Sequence, residues 1–270
     1  MKDVLANLKG WAKEVFLVDS CSADATVDIA LECGVQIVQR RFKGFGDQWN
    51  FALQELPITA PWTMKLDPDE RLTDELKREI ERVTAETEFS AFRVPIRLNF
   101  MGEKLPSVLR LTRLWRTGSV QFSDVKANEH AICSGKESEL RSEIMHLDSP
   151  DLDHWLTKQN RYTTAEAVSQ YQKQALAVPP RFFGSNLERR MWIKRNFWKV
   201  PGRYWLLFWY HLLIIGAWRA GKVGWIWAHL RTEVYRLWEF KRIEIERLQR
   251  VPAKIPSQPG LPDSRVPFRN

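Results

Sequence analysis

Residues 62–70 read Trp-Thr-Met-Lys-Leu-Asp-Pro-Asp-Glu, an apolar run that ends in a cluster of acidic residues. Such a run predicts a buried strand over 62–67 that stops at the carboxylate of Asp67. The same arrangement occurs upstream, where residues 14–19 (Glu-Val-Phe-Leu-Val-Asp) predict a strand that stops at Asp19. Two strands that both end in an acid indicate a polar site at one edge of a sheet.

Helical patterns alternate with these strands along the first third of the chain. Residues 25–33, 46–56 and 73–85 predict helices, and residues 35–38 predict a further strand. This alternation is typical of an α/β fold with a mostly parallel sheet, in which ligands bind at the carboxyl ends of the strands.

The pattern changes after residue 89. Shorter strands are predicted over 91–96, 109–115 and 144–147, and a helix over 151–176. Residues 251–270 contain five prolines and predict a disordered tail. We therefore expect a catalytic domain over 1–150, a helical region over 151–250 and the tail.

The charge of the chain is divided unevenly between its two parts. Residues 1–150 carry 20 Lys and Arg against 24 Asp and Glu, a net of −4, whereas residues 151–270 carry 21 against 9, a net of +12. This asymmetry indicates an acidic part that binds metal and a basic part that meets an anionic surface. The three widely spaced cysteines favour a reducing cytosol and support neither a secreted disulfide framework nor a zinc knuckle.

The acidic run at the end of the predicted strand carries the most specific chemistry. Asp67 and Asp69 are two residues apart, so both can point into one site and share a hard divalent cation. The alternative is an acidic turn that begins the helix at Thr73. The loop at 19–26 favours the first interpretation, because Asp19 can accept hydrogen bonds from a base or ribose, although its later residues are equally good helix caps.

Together these residues resemble the family 2 glycosyltransferases, which use nucleotide sugars and have the GT-A fold. Residues 11–26 are similar to that family's second strand and its D-S-x-S-x-D-x-T loop. Residues 44–53 resemble the helix in which an Asn lies near the nucleotide sugar, and Leu-Asp-Pro-Asp-Glu at 66–70 resembles the D-x-D-E metal motif. Further segments resemble a bacterial branch that builds lipopolysaccharide cores and exopolysaccharides, namely Asn128-Glu129-His130, Gly135, 144–146, 158–162 and Glu166-Ala167.

The resemblance implies transfer of a sugar from a nucleotide-diphosphate donor, with Mg²⁺ or Mn²⁺ as cofactor. It implies that Asp67 and Asp69 hold the metal, with Asp69 also catalytic, and that His146 is a further metal ligand or a diphosphate contact. Glu129 is the candidate general base, the alternative being a surface glutamate on a loop. The remaining substrate-binding candidates are Asp19, Ser22, Asn50, Lys158 and Arg161, of which the last two are equally well explained as solvated charges.

One segment of the family pattern is missing from the chain. Family members open with a strand of the type V-S-V-I-I-P-T-x-N-E, whose end holds the nucleobase. The pattern here begins inside the following helix, so we expect either a natural start upstream of Met1 or a fragment. A truncated relic that has lost catalysis is accordingly one alternative function.

A tryptophan-rich stretch dominates the basic part of the chain. Eight of the 13 tryptophans fall within residues 192–238. The uncharged run at 204–218 spans roughly 22 Å as a helix, which is short of a bilayer core. Aromatics flanked by Arg and Lys instead suit the surface of an anionic membrane, and a buried pair of core helices is the alternative.

These patterns predict a cytoplasmic enzyme that is peripheral on the inner face of the cell membrane. We expect a nucleotide-diphospho-sugar donor and a cell-envelope polysaccharide or lipid-linked acceptor. A basic membrane- or RNA-binding protein is the second alternative, but no nucleic-acid partner is expected, because the aromatics lie in continuous apolar runs.

Overall fold

The computed structural model describes residues 1–123, 130–172, 179–184 and 186–252. These residues form two compact units. The first contains Met1–Asn99 and Val108–Asp148, and the second contains Phe100–Ser107 and the described residues from 149 to 252.

Over the described residues, the first unit contains four helices and most of the strands, which include the predicted α/β alternation. Its elements in chain order are α1 (Lys2–Leu8), β1 (Phe16–Asp19), α2 (Thr26–Glu32), β2 (Gln36–Gln39), α3 (Phe45–Glu55), β3 (Trp62–Met64), β4 (Glu70–Leu72), α4 (Asp74–Ala85), β5 (Ala91–Phe100), β6 (Glu103–Arg116), β7 (Val120–Phe122), β8 (Ala131–Cys133), β9 (Glu137–Glu139) and β10 (Ile144–Leu147). The adjoining ends of β5 and β6, within Phe100–Ser107, belong to the second unit.

The strands form one main sheet and two small pairs. The main sheet has the order β3-β6-β5-β10-β4, with β9 paired to β5. Its pairings are mixed, because β10 is parallel to β5 but antiparallel to β4, and β3 is antiparallel to β6. β1 and β2 form a separate parallel pair, and β7 and β8 an antiparallel one. The predicted α/β class is confirmed, with mixed strand directions in the main sheet.

Helix α4 covers the main sheet and supplies much of its core. Leu76 and Ile80 pack with Phe92 and Val94 of β5, and these side chains are nearly inaccessible to water. The helix begins where the sequence predicts, because the Thr73 hydroxyl accepts a hydrogen bond from the Leu76 N–H at 3.2 Å. This core anchors the short strand β4 that follows the acidic run.

The edge strand β4 is also held by helix α1. The Asn7 side chain donates to the Leu72 carbonyl at 3.0 Å and accepts from the Leu72 N–H at 2.8 Å. These bonds satisfy backbone groups that an edge strand otherwise leaves unpaired. The residues just before β4 therefore extend from a fixed strand.

The second unit is helical. Its elements are α5 (Leu152–Tyr171), α6 (Asn186–Asn196), a 3₁₀ turn (Phe197–Lys199), α7 (Arg203–Trp209), a π-helical turn (Tyr210–Ile214), a second 3₁₀ turn (Ala217–Ala220) and α8 (Gly221–Leu248). The predicted helical C-terminal region is thereby confirmed.

Polar side chains join the helices of this unit. Lys241 of α8 donates from Nζ to oxygens of α5 at 2.6–2.8 Å. These oxygens include the hydroxyls of Thr163 and Thr164. Glu239 of α8 binds Arg203 through both carboxylate oxygens, at 2.7 and 2.6 Å. At the start of α8, a Cβ on Gly224 would lie 1.7 Å from the Ala217 carbonyl, so only glycine permits this close approach.

Many large apolar side chains of the second unit remain exposed. Trp205, Ile214 and Trp218 are 66%, 76% and 55% exposed, whereas Trp227 and Trp238 are buried. Within the run from 204 to 218, α7 continues into the π-helical turn, and Gly216, whose φ is +85°, separates that turn from the second 3₁₀ turn. Among the described residues, no helix combines the length and apolar character needed to cross a bilayer.

Candidate active site

The acidic run lies in a tight turn between β3 and β4. Chain direction reverses over Asp67–Asp69, and the Glu70 N–H donates to the Asp67 carbonyl at 2.9 Å. The Glu70 side chain folds back and accepts a hydrogen bond from the Asp67 N–H at 2.9 Å. Because Glu70 is 2% exposed, it forms the floor of the turn, while the Asp67 and Asp69 side chains stay about one-third exposed above it.

A buried arginine from β6 supports this turn. Arg113 is 3% exposed, and its Nη2 donates to Asp67 Oδ2 at 2.9 Å and to Glu70 Oε1 at 2.7 Å. The backbone brings it there, because β6 pairs with β3 and the Lys65 N–H donates to the Arg113 carbonyl at 2.9 Å. One nitrogen thus bridges two carboxylates of the acidic turn.

His146 of β10 contacts the turn from the other side. In the antiparallel pairing of β10 with β4, His146 lies opposite Glu70. Its Nε2 is 3.1 Å from Asp69 Oδ2, and the Leu147 N–H donates to the Asp69 carbonyl at 2.8 Å. The structure therefore brings His146, 77 residues away in sequence, to the turn that carries the candidates Asp67 and Asp69.

The environment shifts the pKa values of two groups at the turn. Burial raises the pKa of Glu70 to about 7, against the opposing charge of Arg113. Burial alone would lower the pKa of His146, but the hydrogen bond and charge of Asp69 outweigh it, so this pKa lies above its ordinary value. Perturbed values of this kind are typical of functional sites and of structural ion pairs alike.

The donor set of the turn fits a hard divalent cation. Asp67 and Asp69 offer carboxylate oxygens at the surface, and Mg²⁺ binds through one or two such carboxylates together with waters and substrate phosphates. In the part of the chain that the structure describes, no group of three or more His, Cys, Asp or Glu side chains is arranged to hold a metal ion. An ion at this turn would thus take its other ligands from water and substrate.

The loop after β1 holds two further candidates, Asp19 and Ser22. Asp19 is 4% exposed, and its carboxylate accepts hydrogen bonds from the Ser22 N–H at 2.9 Å, from the Ser22 hydroxyl and from Gln39 Nε2 at 3.0 Å. Burial raises the pKa of Asp19, but the hydrogen bonds from Gln39 and Ser22 lower it by more. The net pKa of Asp19 is therefore below its ordinary value. Within the chain, this pair organises the loop.

Asn50 of α3 contacts the backbone of β7. Its Nδ2 donates to the Phe122 carbonyl at 2.9 Å, and its Oδ1 accepts from the Phe122 N–H at 2.8 Å. The neighbouring Gln48 donates from Nε2 to the Val18 carbonyl at 3.1 Å, near the end of β1. Asn50 therefore positions the end of β7, and its predicted contact with the donor sugar stays a prediction.

The remaining candidates lie elsewhere in the chain. Lys158 and Arg161 are on α5 in the second unit, where Arg161 is exposed and Lys158 half-buried. Glu129, the candidate general base, lies outside the described residues, in the segment that follows β7. The roles of these three residues stay predictions.

Arg113 is the main residue of the site that the sequence patterns did not identify. The only signal it offers is an arginine at an inward position of a strand, between Leu111 and Trp115. Its partner Asp67 is 46 residues away in sequence, so the contact depends on the pairing of β3 with β6.

The first part of the sequence matches a family of glycosyltransferases. The model of the family described as Glycosyl transferase family 2 matches residues 1–144. An uncharacterized glycosyltransferase of Rickettsia prowazekii is 25% identical over 177 residues, which is 60% of each chain, and one of Rickettsia conorii is 27% identical over 177 residues, 60% of this chain and 62% of the relative. The chain thus spans about three-fifths of the length of these relatives.

A further relative has a more specific name. The lipopolysaccharide core biosynthesis glycosyltransferase LpsC of Rhizobium meliloti is 27% identical over 206 residues, 69% of this chain and 73% of the relative. The family match covers more than half of the 270 residues and includes the acidic turn, Arg113 and the start of β10. The chain therefore belongs to glycosyl transferase family 2, as its motifs predict.

Proposed function

We propose that this chain transfers a sugar from a nucleotide-diphosphate donor to a lipopolysaccharide core or a related lipid-linked glycan. The observation that carries this proposal is the acidic turn, in which Asp67 and Asp69 are presented at the surface by Glu70, Arg113 and His146. The family match over residues 1–144 and the similarity to LpsC support the same activity.

The candidate site residues have different roles in donor binding and transfer. Asp67 and Asp69 would hold Mg²⁺ or Mn²⁺, and a bound divalent cation offsets the charge that develops on the leaving diphosphate. His146 keeps Asp69 in place through its 3.1 Å contact. Glu129 takes the proton from the acceptor hydroxyl as this oxygen attacks the anomeric carbon, in keeping with its place in the family motif.

We further propose that the second unit binds the cytoplasmic face of an anionic membrane. Its exposed aromatic and aliphatic side chains between Trp205 and Trp225 support this, because exposed apolar residues that are concentrated in one segment typically mark an interaction site. Arg219 and Lys222 are exposed within the same stretch and suit lipid phosphates. Such binding would bring the enzyme to an acceptor carried on lipid.

Sugar transfer is tested directly by incubating the chain with labelled nucleotide sugars, Mn²⁺ and lipopolysaccharide that carries a truncated core. We expect label to enter the lipopolysaccharide from at least one donor. Donor binding without transfer to any acceptor would favour the non-catalytic relic. Failure to bind any nucleotide sugar, together with binding to lipid or RNA, would favour the basic binding protein.

Membrane binding is tested by flotation with liposomes of increasing anionic lipid content. We expect the chain to float, and high salt to release it, because the attraction is electrostatic in part. Replacing Trp205 and Ile214 by serine should lower the partition constant at least about tenfold. Leu31→Ser, at a 61% exposed site of the first unit, is the matched control and should leave flotation unchanged.

A further inference from the structure

Arg113 occupies a position where a lone arginine would be unfavourable. It lies within β6, the strand that pairs with β3, and it is 3% exposed. A charged side chain that is removed from water to this degree is stable only when it is paired and hydrogen-bonded. Its carboxylate partners therefore indicate its role.

Both of these partners belong to the acidic turn. Arg113 Nη2 donates to Glu70 Oε1 at 2.7 Å and to Asp67 Oδ2 at 2.9 Å. Glu70 in turn accepts from the Asp67 N–H at 2.9 Å. Asp67 is thus held twice, through its side chain by Arg113 and through its backbone by Glu70.

We propose that Arg113 is a positioning residue for the metal-binding carboxylate of Asp67. It acts through Asp67 and Glu70 and does not itself touch the ion or the donor. This role rests on the proposed function, in which Asp67 and Asp69 hold a divalent cation. Groups that orient metal ligands in this way are typically worth 10–100-fold in metal affinity.

The direction in which metal affinity changes when Arg113 is removed distinguishes a positioning role from charge repulsion alone. A guanidinium close to Asp67 repels a divalent cation, so removal of its charge alone would strengthen metal binding. Removal of the group that orients Asp67 would weaken metal binding. A fall in affinity after the loss of Arg113, in a variant that keeps its fold, therefore indicates the positioning role.

The experiment compares two variants in which no buried, charged carboxylate is left without a positively charged side chain beside it. Arg113→Met alone would strand Glu70, and a loss of folding would follow. We therefore compare Glu70→Gln with the double variant Glu70→Gln/Arg113→Met, so that the difference isolates Arg113. Arg113→Lys keeps the charge but is too short to reach both carboxylates, and Arg110→Met removes a charge from an exposed position of the same strand.

The measurement is Mn²⁺ affinity by calorimetric titration in the presence of uridine diphosphate, with thermal melting to check folding. We expect the double variant to bind Mn²⁺ about 10–100-fold more weakly than Glu70→Gln, Arg113→Lys to be weakened in the same direction, and Arg110→Met to match the wild type. Equal or tighter binding by the folded double variant would overturn the proposal. If the wild type itself binds no Mn²⁺, the metal site fails, and this role fails with it.

Discussion

The imidazole of His146 lies 3.1 Å from the carboxylate of Asp69, Nε2 to Oδ2, although 77 residues separate the two in sequence. The antiparallel pairing of β10 with β4 produces this contact, because it places His146 opposite Glu70, the residue after Asp69. The two most exposed acids of the turn are thus held from opposite sides, Asp67 by Arg113 and Asp69 by His146.

Replacing His146 by alanine should weaken Mn²⁺ binding by about 10–100-fold, because Asp69 loses the group that orients it. The fold should persist, since the Leu147 N–H still donates to the Asp69 carbonyl. Calorimetric titration with Mn²⁺ measures the effect. His154→Ala, at an exposed histidine of α5, is the control, and equal affinities in the two variants would contradict the assignment.

Replacing Asp19 by alanine should lower the free energy of unfolding by about 1–3 kcal/mol, because the donors on Ser22 and Gln39 lose a buried acceptor. Urea denaturation monitored by tryptophan fluorescence measures the loss. Asp28→Ala, at an exposed position of α2, should change the stability by less than about 0.5 kcal/mol. A stable Asp19→Ala variant with weakened nucleotide binding would instead assign Asp19 to the ligand alone.

Glu239 should make the stability of the second unit depend on pH. Burial raises the pKa of Glu239, but the hydrogen bonds from Arg203 and Tyr204 lower it more, so its net pKa is below the ordinary value of 4.5. The stabilisation is therefore complete above pH 4.5 and is lost as the pH falls through the lower pKa of the folded state.

Glu239→Gln should accordingly lower the free energy of unfolding by about 1–3 kcal/mol at pH 7, and the difference from the wild type should shrink below pH 4.5. Denaturation at a series of pH values measures this difference. Glu246→Gln disrupts the more exposed ion pair with Arg242 and should cost less than about 1 kcal/mol. A constant difference at all pH values would exclude the ionised pair as the cause.

Replacing Glu129 by glutamine should leave donor binding intact and lower the rate of transfer by about 10²–10⁴-fold. A general base acts on the acceptor hydroxyl, so its loss affects turnover and spares the ground-state affinity for the donor. Transfer rates and nucleotide-sugar affinities measure the two effects separately. Transfer within about tenfold of the wild type would place the base elsewhere.

Local patterns predicted many elements because the causes of those elements are local. The strand that ends at Asp19 follows from a continuous apolar run, and α4 begins after Thr73 because this threonine caps it. The acidic turn was predictable for the same reason, since Asp67 and Asp69 follow an apolar run in the sequence itself, although β3 ends at Met64 and not at Asp67 as predicted. The family motifs added the expectation that these acids bind a metal.

The supporting residues could not be predicted because they depend on strand pairing. Arg113 reaches Asp67 only through the pairing of β6 with β3, and His146 reaches Asp69 only through that of β10 with β4. The short strands predicted over 91–96 and 109–115 are parts of the longer β5 and β6, whose two-residue turn at Met101 and Gly102 uses positive φ angles of 50° and 81°. An apolar pattern carries no information on which strands become neighbours.

The central claim is that Asp67 and Asp69 bind the donor through a divalent cation, and the most direct measurement is nucleotide-sugar affinity with and without Mn²⁺. A panel of nucleotide sugars should include at least one that the wild type binds at least about tenfold more tightly when Mn²⁺ is present. Asp69→Asn should remove this gain, whereas Asp28→Asn should retain it. Equal affinities of the wild type and Asp69→Asn in the presence of Mn²⁺ would contradict the claim. The acidic residues would then have only a structural role, as a turn.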